Sequence, residues 1–225
     1  MAFRRARSGP ESDMVQAFIS NRPFNVPRGL RATIFCEPRI ESGFPDIVVV
    51  FWSVAVAKKW SAERVHLKRD DVRRVHHLHL IGGATTRELR GVFPRGLDAS
   101  IERLRAASLI RLVRDRWIPM SLERSFAARR IIAIEAKIAE WSVAIEQAFL
   151  NTWFASDSYV LLPQRAPAAK IRAAARLKGV HLCSPAKAII CNRPAFPGKL
   201  PRSYASWMFN EWAWRSAELG GGLPS

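Results

Sequence analysis

The sequence predicts an α/β protein whose mixed β-sheet is flanked by helices and interrupted by a small inserted module. Two apolar runs, at 47–52 and 131–134, are rich in β-branched residues and predict strands that are buried on both faces. A basic segment with its own helix caps and turns separates them and predicts an inserted module at 67–125. The core is therefore expected to be discontinuous and to consist of 11–66 and 126–216.

Charge is the strongest compositional feature of the chain. Its 225 residues include 36 Lys and Arg against 19 Asp and Glu, which gives a formal net charge of +17. This surplus favours a polyanionic partner, and arginine in particular suits bidentate phosphate contacts. A solubility surface or an anionic membrane surface is the alternative. No apolar run reaches the roughly 20 residues of a membrane-spanning helix, so we expect no membrane insertion.

The termini and the cysteines predict the compartment. Residues 1–10 are expected to form a flexible basic arm that either lies along phosphates or is simply disordered, and 217–225 a disordered tail. No apolar run follows the basic start, which argues against a secretory signal. The three cysteines cannot all pair and form no Cys-x-x-Cys motif, which suits a reducing compartment. We therefore expect a cytoplasmic protein, with nucleoid association as an option.

The first part of the core is predicted to contain a helix at 11–20 and two strands. Glu11 opens the helix, where a carboxylate stabilises the helix dipole. A strand at 30–40 and the strand that follows Asp46 are joined by a short turn, which predicts a hairpin. Glu37 interrupts the apolar pattern of the first of these strands, and its side chain is expected either at a solvated edge or close to Asp46.

The second part of the core is predicted to alternate strands and helices. The strand at 131–134 presents Glu135 and Lys137 where it ends, and a helix with an apolar stripe follows and carries Gln147. Further strands and a helix are expected in 158–183. Aromatic residues alternate with arginine in 202–214, which predicts an amphipathic helix docked on its own domain or on a dimer partner; stacking on unpaired bases is the alternative.

Pro45-Asp46 and Glu135-Ala136-Lys137, in the order strand, motif, helix and strand, resemble the signature of the PD-(D/E)xK superfamily, the restriction-endonuclease-like nucleases. The resemblance rests on short motifs and implies a phosphodiester-hydrolysing site. It implies that Mg²⁺, with Mn²⁺ as a substitute, is held by Asp46, Glu135 and the backbone carbonyl of Ala136. Lys137 would orient the attacking water or stabilise charge in the transition state.

The same resemblance implies supporting roles for three further residues. Gln147 would hold Lys137 or a phosphate oxygen, and Glu11 and Glu37 are candidates for additional metal ligands, with helix capping as the alternative for Glu11. The whole set also has a purely structural interpretation. In that interpretation Asp46 and Glu135 are strand-end acids and Lys137 is their salt-bridge partner.

The inserted segment carries a second resemblance. It is predicted to contain a helix ended by Gly82-Gly83, a second helix opened by the capping box Thr85-Thr86-Arg87-Glu88, a third helix at 97–107 and a hairpin at 109–119. This order resembles a winged helix-turn-helix domain. The resemblance implies that the third helix enters the major groove of DNA, or else that the module docks a protein.

The winged-helix resemblance also implies which side chains contact DNA. Ser100 and Arg103 would contact base edges or phosphates, and Arg114 and Arg116 in the wing would contact the backbone. His76, His77 and His79 lie in the first helix of the segment without a zinc-binding spacing, so we expect them to be surface and packing residues.

Together these features predict a Mg²⁺-dependent DNA endonuclease that an inserted winged helix delivers to duplex DNA. The rival is a non-catalytic DNA-binding or scaffold protein on a nuclease-like core, acting in transcriptional regulation or in a defence or mobile-element assembly. RNA is a third candidate substrate. No Gly-x-x-x-x-Gly-Lys-Ser/Thr loop is present, so no nucleotide cofactor is expected. Because cutting both strands needs two active sites, we expect a homodimer or a subunit of a larger complex.

Overall fold

The structure of the protein is a computed structural model, which describes residues 9–21, 23–40, 43, 45–163, 168–186 and 203–220. The expected arm at 1–10 lies outside the described residues except for Gly9 and Pro10, and Cys191 lies outside them as well. The last helix ends at Glu218, so the first residues of the expected tail are helical instead.

The helices and strands follow one another in an order close to the predicted one. The first part of the chain contains α1 (Pro10–Ser20), β1 (Leu30–Cys36), β2 (Ile47–Ser53), α2 (Val54–Ala57) and a 3-10 helix (Ala62–His66). The middle contains α3 (Arg69–Ile81), β3 (Ala84–Thr85), α4 (Thr86–Val92), α5 (Leu97–Ala106), β4 (Ile110–Val113), β5 (Arg116–Pro119) and α6 (Leu122–Ser125). The last part contains β6 (Ala128–Ala136), α7 (Trp141–Leu150), a second 3-10 helix (Asn151–Trp153), β7 (Asp157–Leu161), α8 (Ala169–Leu177), β8 (His181–Cys183) and α9 (Tyr204–Glu218).

A five-stranded mixed sheet in the order β1-β2-β6-β7-β8 forms the centre of the fold. The pairs β1–β2 and β2–β6 are antiparallel, whereas β6–β7 and β7–β8 are parallel. The parallel strands are connected through α7 and α8, as a parallel pair requires a crossover. This confirms the predicted mixed α/β architecture and the predicted hairpin between β1 and β2.

Helices cover both faces of the sheet. Successive residues of β2 point to opposite faces of the sheet, and the residues on both faces are buried. On one face α1 contributes Met14 and Phe18 to an apolar cluster with Ile47 and Val49 of β2. On the other face α9 covers the remaining residues of the strand, Val48, Val50 and Trp52. Each large apolar side chain buried in this way stabilises the fold by about 1.5–3 kcal/mol.

The middle segment forms a second, three-stranded sheet in the order β3-β5-β4, packed with α3, α4 and α5. The predicted capping box is confirmed, because the side chains of Thr85 and Glu88 each accept a hydrogen bond from the other residue's backbone N–H. α3 ends at Gly82, whose φ of 76° is left-handed. The apolar side chains of this segment belong to the same cluster as α9 and the main sheet, so the two sheets share one core.

The last helix, α9, is almost wholly buried and is held by a polar network. Glu211 forms an ion pair with Arg64, and both side chains are almost inaccessible to solvent. Arg64 also donates to the carbonyl of Ser125, and Asn210 accepts the backbone N–H groups of Ala127 and Ala128 at 2.8 and 3.0 Å. These contacts satisfy the buried charges and fix α9 against the start of β6.

Two sequence predictions about packing residues are confirmed. Most of the aromatic residues of α9 that could have stacked on bases are buried, among them Tyr204, Trp207 and Trp214, so this segment docks on its own chain. The histidines of α3 are packing residues: the ring of His77 lies against Phe93, and the ring of His79 lies 4.8 Å from that of Trp207. None of the described helices combines the length and the apolar content needed to cross a membrane.

Candidate active site

Asp46 and Glu135 meet because their strands are neighbours in the sheet. The antiparallel register pairs Ile47 with Ile134, and one residue further along it Asp46 lies beside Glu135. Asp46 precedes β2 and Glu135 is the penultimate residue of β6, so both lie at the same edge of the sheet. The two carboxylates are therefore neighbours in the structure.

Asp46 is half-buried and is held by the backbone of β6. Its Oδ2 atom accepts a 2.7 Å hydrogen bond from the N–H of Ala136. Burial raises the pKa of Asp46, and the nearby carboxylates of Glu37 and Glu11 raise it further, against the opposing effects of the Ala136 N–H and of Lys137. Asp46 therefore lies among several carboxylates at this edge of the sheet.

Glu135 is the most perturbed acid of the site. Only 7% of the residue is exposed, and the side-chain amide of Asn151 donates a 2.6 Å hydrogen bond to its Oε1 atom. Burial, and then the negative charge of Asp46, raise the pKa of Glu135 to about 8, although the hydrogen bond from Asn151 and the charge of Lys137 lower it. Burial and the charge of Asp46 therefore favour the protonated form of Glu135 in the free protein.

Lys137 lies just beyond the end of β6 and pairs with Glu11 of α1. Its Nζ atom lies 3.1 and 3.2 Å from the two carboxylate oxygens of Glu11. The pair is partly exposed, so it holds the ammonium group in position more than it stabilises the fold. Glu11 does lie in the first turn of its helix, as predicted from capping, but its carboxylate also belongs to the site.

Glu37 lies on the loop between β1 and β2, directly across from Asp46. Its backbone N–H donates a 2.9 Å hydrogen bond to the carbonyl of Asp46, and its own φ of 45° is left-handed. A residue without glycine's freedom adopts this conformation at a cost of the order of 1 kcal/mol. The strained loop brings the Glu37 carboxylate close enough to influence Asp46, which places it at the site rather than at a solvated edge.

The structure does not bring Gln147 to Lys137. Gln147 lies on the exposed side of α7, whereas Ala144, Ile145 and Ala148 face the sheet. The buried stripe of this helix continues to Asn151, which contacts Glu135 instead. A polar residue at the next position of an apolar stripe was the sequence signal that could have identified Asn151.

The site offers oxygen donors suited to a hard cation, although it is not a complete cage. Among the described residues, no group of three or more His, Cys, Asp or Glu side chains is arranged to hold a metal ion. The raised pKa values of Asp46 and Glu135 nevertheless have the cause expected of such a site, namely two buried carboxylates with little compensating positive charge. The chemistry of this pair suits Mg²⁺, which is usually bound by one or two carboxylates and several waters.

Two of the residues predicted to contact DNA are instead engaged by a carboxylate within the module. Ser100 is fully buried, and its hydroxyl donates a 2.5 Å hydrogen bond to Asp71 of α3. Arg103 binds the same carboxylate through two nitrogen atoms, at 2.7 and 2.9 Å. Burial alone would raise the pKa of Asp71, but the hydrogen bonds from Arg103, Ser100 and the Lys68 N–H lower it overall. Contrary to the prediction, Ser100 cannot present its hydroxyl to a partner.

The two predicted wing residues are exposed. Arg114 lies in the turn between β4 and β5 with a φ of 58°. Arg116 donates to the carbonyl of Gly83 at 2.8 Å and lies 3.4 Å from Glu88, so its guanidinium is partly engaged. Arg111, on the neighbouring strand, is exposed as well, and the hairpin therefore presents positive charge to solvent.

No protein-family model, no curated protein and no solved structure matches this chain. The description of its fold and of its candidate site therefore rests on the geometry of the structure alone.

Proposed function

We propose that the protein is a Mg²⁺-dependent DNA endonuclease of the PD-(D/E)xK type, which hydrolyses phosphodiester bonds at the edge of its five-stranded sheet. One observation carries the proposal: Asp46, Glu135 and Lys137, which lie in two distant parts of the sequence, meet at this edge. The net charge of +17 supports a polyanionic substrate.

Each residue of the site has a separate role in this proposal. Asp46, Glu135 and the carbonyl of Ala136 would hold the cation, which when bound neutralises phosphate charge and acidifies a coordinated water. Lys137 orients the attacking water or stabilises the charge that develops on the phosphate. Glu11 holds Lys137 in place, and Asn151 holds Glu135. The protonated state of Glu135 must be given up when the cation binds.

Delivery to duplex DNA is proposed for the middle segment. Its order of elements, three helices with a short strand after the first and a hairpin after the third, supports the resemblance to a winged helix-turn-helix domain. Arg114 and the exposed Arg111 of the hairpin are the proposed backbone contacts. Ser100 and Arg103 are not part of this proposal, because Asp71 already engages both.

Cleavage of supercoiled plasmid tests the nuclease proposal. The reaction is run at low salt with Mg²⁺ or Mn²⁺ and with EDTA as a control, because phosphate-driven binding weakens as salt increases. Asp46→Asn and Lys137→Met are each expected to lower the cleavage rate by about 100-fold or more. Asp13→Asn removes an exposed carboxylate from the same helix as Glu11 and is expected to leave the rate unchanged.

The same assay separates the nuclease from its rival. Equal activity in all four proteins would indicate a contaminant and would contradict the proposal. An absence of metal-dependent cleavage, together with a gel shift of duplex DNA, would favour a non-catalytic DNA-binding protein on a nuclease-like core. Two contacts favour this rival, because each occupies a group that catalysis would need. Asp46 accepts a hydrogen bond from the Ala136 N–H, and Lys137 is paired with Glu11.

A further inference from the structure

A cavity of about 270 Å³ lies on the side of the molecule where α3 meets α9. Lys68 and Arg69 line it from the start of α3, Arg215 and Trp212 line it from α9, and Arg39 lines it from the loop after β1. α9 covers the face of the sheet opposite to α1. The cavity is therefore separate from the Glu11–Lys137 pair of the candidate active site.

The walls of this cavity are strongly cationic. Lys68, Arg69, Arg215 and Arg39 contribute four positive charges, and Glu211 is the only acidic residue among the lining side chains. Glu211 is paired with Arg64 and also interacts electrostatically with Arg215, so a single carboxylate in the lining faces several positive charges. Like charges that converge on one concave surface repel one another unless an anion binds between them.

Arg215 gives a second reason to expect a bound anion. Its Nη2 atom donates to the carbonyls of Arg64 and Leu67 at 3.0 and 2.6 Å, which anchors the side chain at the cavity. Its Nε atom is buried and has no hydrogen-bond acceptor among the described residues. A buried donor without an acceptor destabilises a protein. An oxyanion in the cavity would supply an acceptor and additional negative charge.

We propose that this cavity binds a phosphate group, carried either by a free nucleotide or by a nucleic-acid strand. Guanidinium groups match the oxygen atoms of a phosphate bidentately, and three of the four cations are arginines. Trp212 lies in the same wall and offers an aromatic surface next to the phosphate. The inference does not rest on cleavage, because phosphate binding here needs no metal.

Isothermal titration calorimetry in EDTA and low salt tests the proposal without any nuclease activity. The probes are inorganic pyrophosphate, adenosine 5′-monophosphate, and one short single-stranded oligonucleotide with and without a 5′-phosphate. Arg39→Gln combined with Lys68→Gln removes two exposed lining cations. Lys58→Gln combined with Lys59→Gln removes two exposed cations elsewhere on the surface and is the matched control.

We expect the cavity variant to bind the phosphate probes at least about tenfold more weakly than the wild type, and the control variant to bind them within about twofold. Tighter binding of the mononucleotide than of either oligonucleotide would identify a free nucleotide as the source, and the reverse would identify a strand. Loss of affinity that is equal in both variants, or no heat from any probe at 1 mM, would overturn the proposal. Because no divalent metal is present, neither result depends on whether the chain is a nuclease.

Discussion

Asn151 donates its side-chain N–H to Glu135 across a distance of 2.6 Å, inside a region where both residues are buried. This hydrogen bond orients a carboxyl group whose pKa burial and Asp46 raise to about 8. A buried carboxyl held by a neutral amide can gain or lose its charge without losing its position. The relationship fits a group that is protonated in the free protein and ionised when a cation binds.

Substitutions of Asn151 and Gln147 test which of the two residues supports the site, because the family resemblance had favoured Gln147. Asn151→Ala leaves Glu135 without its donor, so we expect the free energy of unfolding to fall by about 1–3 kcal/mol. Plasmid cleavage is expected to slow by about tenfold or more, because Glu135 is no longer held in position. Gln147→Ala, on the exposed side of the preceding helix α7, is the control and is expected to change neither quantity. If Gln147→Ala instead lowers stability and cleavage more than Asn151→Ala does, Gln147 has the role that the resemblance implied.

Glu135→Gln is expected to change how stability depends on pH. The folded protein keeps the proton of Glu135 up to a pKa of about 8, whereas the ordinary value is 4.5, so the free energy of unfolding decreases as pH rises between these values. Gln keeps the acceptor for Asn151 and has no proton to lose. Relative to the wild type, the variant should therefore gain stability on the order of 2–4 kcal/mol between pH 5 and pH 8.

Urea unfolding of both proteins in EDTA at pH 5 and pH 8 measures this difference. Because all other titrating groups are shared, only the change in the difference between the two proteins matters. A stability difference that is the same at both pH values would mean that Glu135 titrates normally in the folded protein.

Glu11→Gln tests whether the partner of Lys137 matters for activity rather than for folding. The pair is partly exposed, so its loss should lower the free energy of unfolding by less than about 1 kcal/mol. Cleavage is expected to slow by about tenfold, because the ammonium group is no longer held at the site. Asp13→Asn in the same first turn is the control for the helix dipole and should leave cleavage unchanged. Equal rates for the two variants would assign Glu11 to helix stabilisation alone.

The buried pair of Arg64 and Glu211 is expected to be essential for the fold. Glu211→Gln leaves the guanidinium of Arg64 with an uncompensated buried charge, which should lower the free energy of unfolding by about 3–5 kcal/mol. The double variant Arg64→Met and Glu211→Leu removes both charges and should recover a large part of that loss. Urea unfolding of the single and double variants measures these free energies. If the double variant loses as much stability as the two single substitutions added together, the hydrogen bonds to Ser125 and Asn210 contribute more than the ion pair does.

Arg103 and Arg114 should respond differently to the same substitution. Arg103→Gln leaves Asp71 with a weakened buried network and is expected to lower the free energy of unfolding by about 1–3 kcal/mol. Arg114→Gln should leave stability unchanged, weaken duplex binding several-fold and reduce the slope of log K against log salt by about 1. Arg176→Gln removes an exposed arginine from α8 and is the control. Unchanged DNA affinity in Arg114→Gln would remove the wing from the proposed interface.

The position of each carboxylate at the end of a strand could be predicted because it depends on a local pattern. One apolar run begins directly after Asp46 and another ends at Glu135, and each identifies a buried strand. The capping box of Thr85 and Glu88 is equally local, since its two residues are three positions apart. The docked aromatic helix could be predicted for the same reason, because a dense row of large apolar side chains must be buried.

The contacts that were missed join residues far apart in the sequence or depend on helix rotation. Arg64 and Glu211 are 147 positions apart, and nothing close to either residue indicates its partner. Ser100 was placed on a DNA-facing side although it lies three residues after Leu97 and shares that residue's buried face. Burial of a small hydroxyl depends on its acceptor, Asp71, which belongs to another helix.

The dependence of the core on α9 has a consequence for biosynthesis. A ribosome makes every strand of the main sheet before it makes α9, so Val48, Val50 and Trp52 have no cover on that face while the chain is still emerging. A newly made chain therefore exposes this apolar face of the sheet until α9 has been synthesised and has docked.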